Sequence, residues 1–293
     1  MFSGAFTAIV TPFSGGQIDE PAFERLIDFQ VEHEITGIVP VGTTGESPTL
    51  THDEHHRVIE LAVNFANGNC KVIAGTGSNS TAEAIESTRL AEKAGADAAL
   101  LVAPYYNRPS QEGLFRHFQA ISEITELPLI LYSIPARCGV EIAVETVRRL
   151  AESCANIVAI KEAGGSVERV SQLRAALPAE FEILSGDDPL TLPFLAAGAV
   201  GVISVASNII PREVLQLVQA FQAGKIEEAR RIHFKYYQLF KDLFIETNPV
   251  PIKTALALAN MIEPDLRLPL CEMSDENTAK LRATLGDLKL LHR

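Results

Sequence analysis

Lys161 stands where an apolar run, Val158-Ala159-Ile160, gives way to Glu162-Ala163 and the turn residues Gly164 and Gly165. Lysine is among the residues least often buried, because its charge is costly to desolvate, and it commonly buries only its stem. At an ordinary pKa of ~10.4 its amine is neutral in about one molecule in 2,500 at pH 7. An apolar setting can lower that pKa to ~7, a shift of about 4.6 kcal/mol at roughly 1.36 per unit. The free amine then attacks a ketone and forms a Schiff base. The iminium draws electrons from the neighbouring carbon, which loses a proton and becomes a nucleophilic enamine.

Other segments supply what that chemistry needs. In "GTTGES" (Gly42 to Ser47) two glycines bracket Thr43 and Thr44. Such a turn can aim backbone N–H groups at one point and suits a carboxylate. It is no P-loop, because the lysine is missing, and "GTGSNS" after Lys71 lacks the third glycine of a dinucleotide fingerprint. "YSIPARCG" carries Tyr132 and Arg137, and "PYYNRP" carries Tyr105 and Tyr106. The tyrosine hydroxyls and Thr43 can relay protons, and Arg137 can pair with a second acid group. Each has a plain structural reading alone: a core tyrosine, a solvated arginine, an ordinary turn. Their convergence on one rim points to a keto-acid enzyme. "HDEHH" (His52 to His56) is rich in metal ligands but opens an expected helix with no supporting ligand set, so neither metal nor cofactor is expected.

The elements that must position these residues repeat. Short apolar runs begin near Ala5, Gly37, Lys71, Ala98, Pro128, Asn156, Phe181 and Gly201. Segments of helical periodicity separate them. Thr51 with Glu54, and Ser80 with Glu83, have capping-box spacing. Eight continuous apolar strands alternating with helices predict an α/β fold, a (β/α)8 TIM barrel, over residues 1–224. A doubly wound sheet is the alternative. Residues 225–293 predict a helical extension, with breaks at Asn248 to Pro251 and at Pro264 to Pro269. Barrel active sites lie at the C-terminal strand ends, where Lys161 falls, whereas Lys71 opens its strand and belongs to the opposite face.

Composition narrows the class. Of 293 residues 47% are hydrophobic, enough for a large core, and the net charge of −12 argues against nucleic acid or anionic membrane as partner. The start of the chain lacks a secretory pattern, and the longest apolar run, Phe194 to Ala206, is too short to span a bilayer. The cysteines Cys70, Cys138, Cys154 and Cys271 form no paired motif, so a reducing cytoplasm is expected.

In order, "GTTGES", "PYYNRPSQEG", "YSIPAR", "IKEA", "GVISV" and "NPVPIK" resemble the 4-hydroxy-tetrahydrodipicolinate synthase (dihydrodipicolinate synthase) family of pyruvate-dependent class I aldolases, over nearly the whole chain. The resemblance implies a lyase that condenses pyruvate with L-aspartate 4-semialdehyde in lysine (diaminopimelate) biosynthesis. It implies that Lys161 carries the Schiff base and that Thr43, Tyr132 and Tyr106 form the proton relay. Tyr106 would come from a neighbouring subunit, which makes the protein a homo-oligomer, a dimer of dimers (homotetramer). Thr44 would meet the pyruvate carboxylate and Arg137 that of the semialdehyde, with Gly186 and Ile203 lining the pocket through their backbone. Ser133 and Cys138 depart from the common asparagine and threonine beside Arg137. N-acetylneuraminate lyase, which usually has serine at the position of Thr43 and no arginine at that of Arg137, is the nearest alternative, and a non-catalytic keto-acid-binding protein is another. The resemblance also implies feedback inhibition by L-lysine at Ser47, His52, His55, Asn79, Glu83 and Tyr105. There Glu83 suits the ligand's ammonium, while Pro48 replaces a common alanine.

Overall fold

The computed structural model describes residues 2–291. The strands are β1 (Gly4–Thr7), β2 (Phe13–Ser14), β3 (Gln17–Ile18), β4 (Gly37–Ile38), β5 (Lys71–Gly75), β6 (Ala98–Val102), β7 (Leu129–Ser133), β8 (Ile157–Glu162), β9 (Glu182–Ser185) and β10 (Gly201–Ser204). All but β2 and β3 close into a parallel barrel in the order β1-β10-β9-β8-β7-β6-β5-β4, with β4 returning to β1. Every apolar run picked out in the sequence becomes one of these barrel strands.

Their continuous apolarity follows from burial on both faces. Phe6, Val39, Ile73, Leu100, Ile130, Ala159, Leu184 and Ile203 form the barrel's interior cluster. Their alternate neighbours, such as Leu101, Leu131, Ile160 and Ile183, point the other way and pack with Leu114, Phe118, Val147, Leu150 and Leu173 of the outer helices. This is the TIM-barrel arrangement, and it directs the C-terminal strand ends to one rim.

The antiparallel β2–β3 pair is an element beyond the predicted pattern. Its turn is Gly15-Gly16, with φ of 57° and 78°. Two consecutive left-handed residues make a two-residue hairpin turn, and Gly-Gly allows it without strain. A second difference concerns caps. Thr51 and Glu54 form the full reciprocal box at the His52–Ala66 helix. Ser80 accepts from the amide of Glu83, but the Glu83 carboxylate turns to the Ser78 hydroxyl at 2.8 Å.

The C-terminal region forms three helices, Ile226–Asp242, Val250–Leu258 and Asp275–Asp287. Ile232, Tyr236, Leu239, Leu256 and Leu281 share one core with Ile9, Val10, Val41 and Val205. The extension therefore lies against the rim that carries "GTTGES". Among the described residues, no helix is long and apolar enough to cross a membrane.

Candidate active site

Tyr132 and Lys161 are register partners on the adjacent parallel strands β7 and β8. Side chains at one level of a parallel pair project to the same face, here inward. The Lys161 Nζ lies 4.2 Å from the centroid of the Tyr132 ring. Burial lowers the Lys161 pKa to about 7; the positive charge of Arg137 adds to that effect and the negative charge of Asp188 opposes it. Burial likewise pushes the Tyr132 hydroxyl up to about 12, opposed by Arg137 and by a hydrogen bond with Thr43. At neutral pH the site therefore pairs an amine poised near its titration point with a protonated phenol.

The residues around Lys161 fix it tightly. Glu162 turns outward and pairs with Arg169 at 2.8 Å, and it accepts from the Gly164 amide at 2.7 Å. These bonds hold the end of β8. Gly186 follows β9, donates to the Glu162 carbonyl at 2.8 Å and leaves room for the lysine. A Cβ there would stand 2.9 Å from Lys161 Cε and 2.8 Å from Ala163 Cβ. Gly186→Ala should therefore fold yet displace the lysine, lowering kcat/KM on the order of 10²-fold. Steady-state rates beside a thermal melt check this, and a variant with unchanged kcat/KM would show that the lysine tolerates the shift.

Asp188 is a functional candidate beyond the sequence-predicted set. It is buried, and its Oδ2 accepts from the amides of Val205 and Ala206, both at 3.0 Å. Burial pushes its carboxyl up to about 6. The available signal was an acidic pair, Asp187-Asp188, directly after an apolar strand.

The "GTTGES" loop is wound more tightly than an open nest. The Glu46 amide donates to the Thr43 carbonyl at 3.1 Å and that of Ser47 to Gly42 at 3.3 Å. Val41, β-branched, takes φ 49° and Glu46 φ 54°, values that cost strain in non-glycine residues. Thr44 is buried, and its hydroxyl accepts from Asn248 Nδ2 at 3.0 Å. The Asn248 carbonyl in turn accepts from Arg137 at 3.1 Å. Asn248 thus ties the loop to the arginine across the rim. Its signal was the break at "NPVP", which marks a boundary without saying what the asparagine touches.

A cavity of about 480 Å³ opens at this rim. Thr43, Tyr132 and Arg137 line it together with Ser47, His52, His55, Glu83 and Tyr105. Three residues assigned to the reaction and five assigned to lysine binding thus share one continuous space. Lys161, Thr44, Gly186 and Ile203 are not among the residues that line it, whereas Tyr132, whose ring lies against the Lys161 amine, is. Burial lowers the His55 pKa to about 4, so its ring is neutral. Asn79 stays outside the wall, its carbonyl accepting from Asn107 at 2.9 Å. Tyr106 also stays outside, 90% exposed, with φ 70°. Within a single chain the tyrosine–threonine contact ends at Thr43.

The same fold and length recur among known proteins. The dihydrodipicolinate synthetase family matches residues 1–288. The 4-hydroxy-tetrahydrodipicolinate synthase of the thermoacidophilic methanotroph Methylacidiphilum fumariolicum SolV is 60% identical, with a TM-score of 0.98 over 99% of this chain and 96% of its own. The dihydrodipicolinate synthase of Cyanidioschyzon merolae, solved with lysine bound, is 43% identical with a TM-score of 0.96 over 99% of both chains. That of Acinetobacter baumannii, complexed with pyruvate, is also 43% identical with a TM-score of 0.96, over 99% of this chain and all of its own. With the match spanning the barrel, the rim and the C-terminal helices alike, the chain belongs to the dihydrodipicolinate synthetase family.

Proposed function

We propose that the chain is a lyase that condenses pyruvate with L-aspartate 4-semialdehyde through a Schiff base on Lys161. The observation that carries this reading is a buried lysine whose amine is held near pKa 7 against the ring of Tyr132. At pH 7 about half of such amines are neutral and nucleophilic. The amine adds to the ketone carbon of pyruvate, and the ketone oxygen leaves as water after taking up protons. Loss of a methyl proton gives the enamine, whose carbon bonds to the aldehyde carbon of the second substrate. The amino group of the second substrate then attacks the imine carbon, closing a ring, and the Lys161 amine leaves with a proton as the product is freed. Tyr132 and Thr43 pass the protons, and Tyr106, entering from a second copy of the chain, extends the relay to solvent. Its full exposure and strained backbone suit a residue completed by a neighbour, and the assembly is a homo-oligomer, a dimer of dimers. The chemistry requires no cofactor, and the unpaired thiols of the four cysteines suit a reducing cytoplasm.

Pyruvate binds through Thr44 and the loop that carries it; a relative 43% identical to this chain is complexed with pyruvate. Arg137, tied to Asn248 at the opening, receives the carboxylate of the semialdehyde. Turnover of the two substrates together tests the function. Cleavage of N-acetylneuraminate in its place would overturn it.

The outer part of the cavity is proposed to take L-lysine, a ligand with which one relative was solved. Glu83 is exposed there and His55 is neutral, so the local charge favours an ammonium group. Initial rates should fall with millimolar L-lysine, and Glu83→Ala should weaken that inhibition by about ten-fold, the loss of one charge-assisted hydrogen bond. Full activity at millimolar lysine would remove the effector from the picture.

A further inference from the structure

Glu46 is the last buried residue of the "GTTGES" loop, and its carboxylate turns away from the cavity into the protein. Oε1 accepts from Lys253 Nζ at 2.5 Å, and the two side chains are 0% and 1% exposed. Oε2 accepts from the backbone amide of Arg267 at 3.4 Å. Lys253 Nζ and the Arg267 guanidinium each lie 4.3 Å from the ring of Phe13. Arg267 continues to the Thr49 carbonyl at 3.1 Å and to Glu54 at 2.7 Å. The segment from Asn248 to Arg267 thus grips the loop at Thr44, Glu46 and Thr49.

A fully buried ion pair adds little net stability over an apolar pair of the same size, since desolvation offsets most of the attraction. What it adds is direction: a carboxylate that must meet one ammonium fixes the backbone that carries it. Glu46 needs that constraint, because it holds left-handed φ 54° and ψ 35° two residues after Thr44. Its amide closes the turn on Thr43, and its carbonyl takes the Thr49 amide at 2.9 Å.

We propose that the buried Glu46–Lys253 pair is the positioning device of the carboxylate-binding loop, holding Thr43 and Thr44 in the conformation that receives the keto acid. The ligand side of this inference rests on the function proposed above; the conformational side does not. Glu46 and Lys253 are positioning residues, since neither lines the cavity.

The decisive variant is the double substitution Glu46→Gln with Lys253→Met, which removes both charges at nearly constant volume. Lys253→Met alone strands a buried carboxylate and tests folding instead. Two readouts are taken on the full chain. In amide hydrogen exchange, the peptide covering residues 41–50 should exchange roughly ten-fold faster in the double variant while the strands β6 to β8 keep their protection. In borohydride trapping with pyruvate alone, half-saturating pyruvate should rise roughly ten-fold while the plateau of labelled Lys161 is unchanged. Glu46→Gln alone, which keeps an oxygen for Lys253, should give intermediate values and covers the case in which the double variant does not fold. Exchange at 41–50 equal to that of the parent overturns the proposal. So does a uniform rise in exchange across the barrel, which would mark a merely structural role. A parent protein that traps no pyruvate defeats the functional reading, and the exchange pattern then decides the positioning role by itself.

Discussion

Borohydride added with pyruvate reduces an imine on Lys161 and on no other lysine, and Lys161→Ala abolishes both the label and turnover. The expected loss is on the order of 10⁴-fold or more, because the covalent route disappears and the remaining groups act only in concert with it. The rate of trapping carries a pH signature. Burial disfavours the charged amine, so the Lys161 pKa lies below the ordinary lysine value, at about 7. Below that pH the amine is protonated and inert; above it the amine is free. Trapping should therefore speed up with rising pH and inflect near 7. Asp188 opposes the depression, since its negative charge favours the ammonium. Asp188→Asn should move the inflection to lower pH. Peptide mapping of the reduced adduct and a pH series check all three statements, and a label on another lysine or an inflection near 10 would reject the assignment.

Tyr132→Phe should cost about 10³-fold in kcat while leaving the fold and the pyruvate label in place, the scale expected for loss of a proton-transferring group. The variant keeps the ring that covers Lys161 at 4.2 Å and removes only a hydroxyl. That hydroxyl, pushed up to about 12, is protonated throughout the working pH range and can donate to a leaving oxygen. Its partner Thr43 faces the cavity and can find water, so the stability cost stays near 1 kcal/mol. Steady-state kinetics set beside long-incubation trapping separate the two effects. A kcat within ten-fold of the parent would move the proton relay elsewhere.

The frame was legible and the joinery was not. Runs such as Leu129 to Leu131 and Ala159 to Ile160 bury successive residues inward and outward, and that double burial writes itself into a sequence as unbroken apolarity. Lys161 and Tyr132 could each be placed at a strand end, but their contact depends on the register between β7 and β8, which local pattern does not encode. The β2–β3 hairpin did carry a signal in Gly15-Gly16, though each strand is two residues long and too short for alternation to show. Asn248 and Lys253 were hidden for a different reason. A helix pattern places Lys253 without revealing that it is buried against a carboxylate on a distant loop. Polar contacts across such separations come from topology, and only the break at "NPVP" and the resemblance of "NPVPIK" marked that segment beforehand.

The position of the barrel's closing seam bears on how the molecule matures. The first strand, β1, pairs with β10, so no closed barrel exists until Ser204 has been made. Glu46 and Lys253 are 207 residues apart, and Asn248 reaches Thr44 across 204. Contacts of that separation are late and slow to form, and in vectorial synthesis they wait for the end of the chain. All eight barrel strands thus leave the ribosome before Asn248 and Lys253, the distant residues that grip the loop at Thr44 and Glu46. A nascent chain halted after residue 247 has its lysine, its tyrosine and its arginine, but not the grip on the loop that would present a ligand to them. Tight capture of a keto acid accordingly waits for the segment from Asn248 to Lys253.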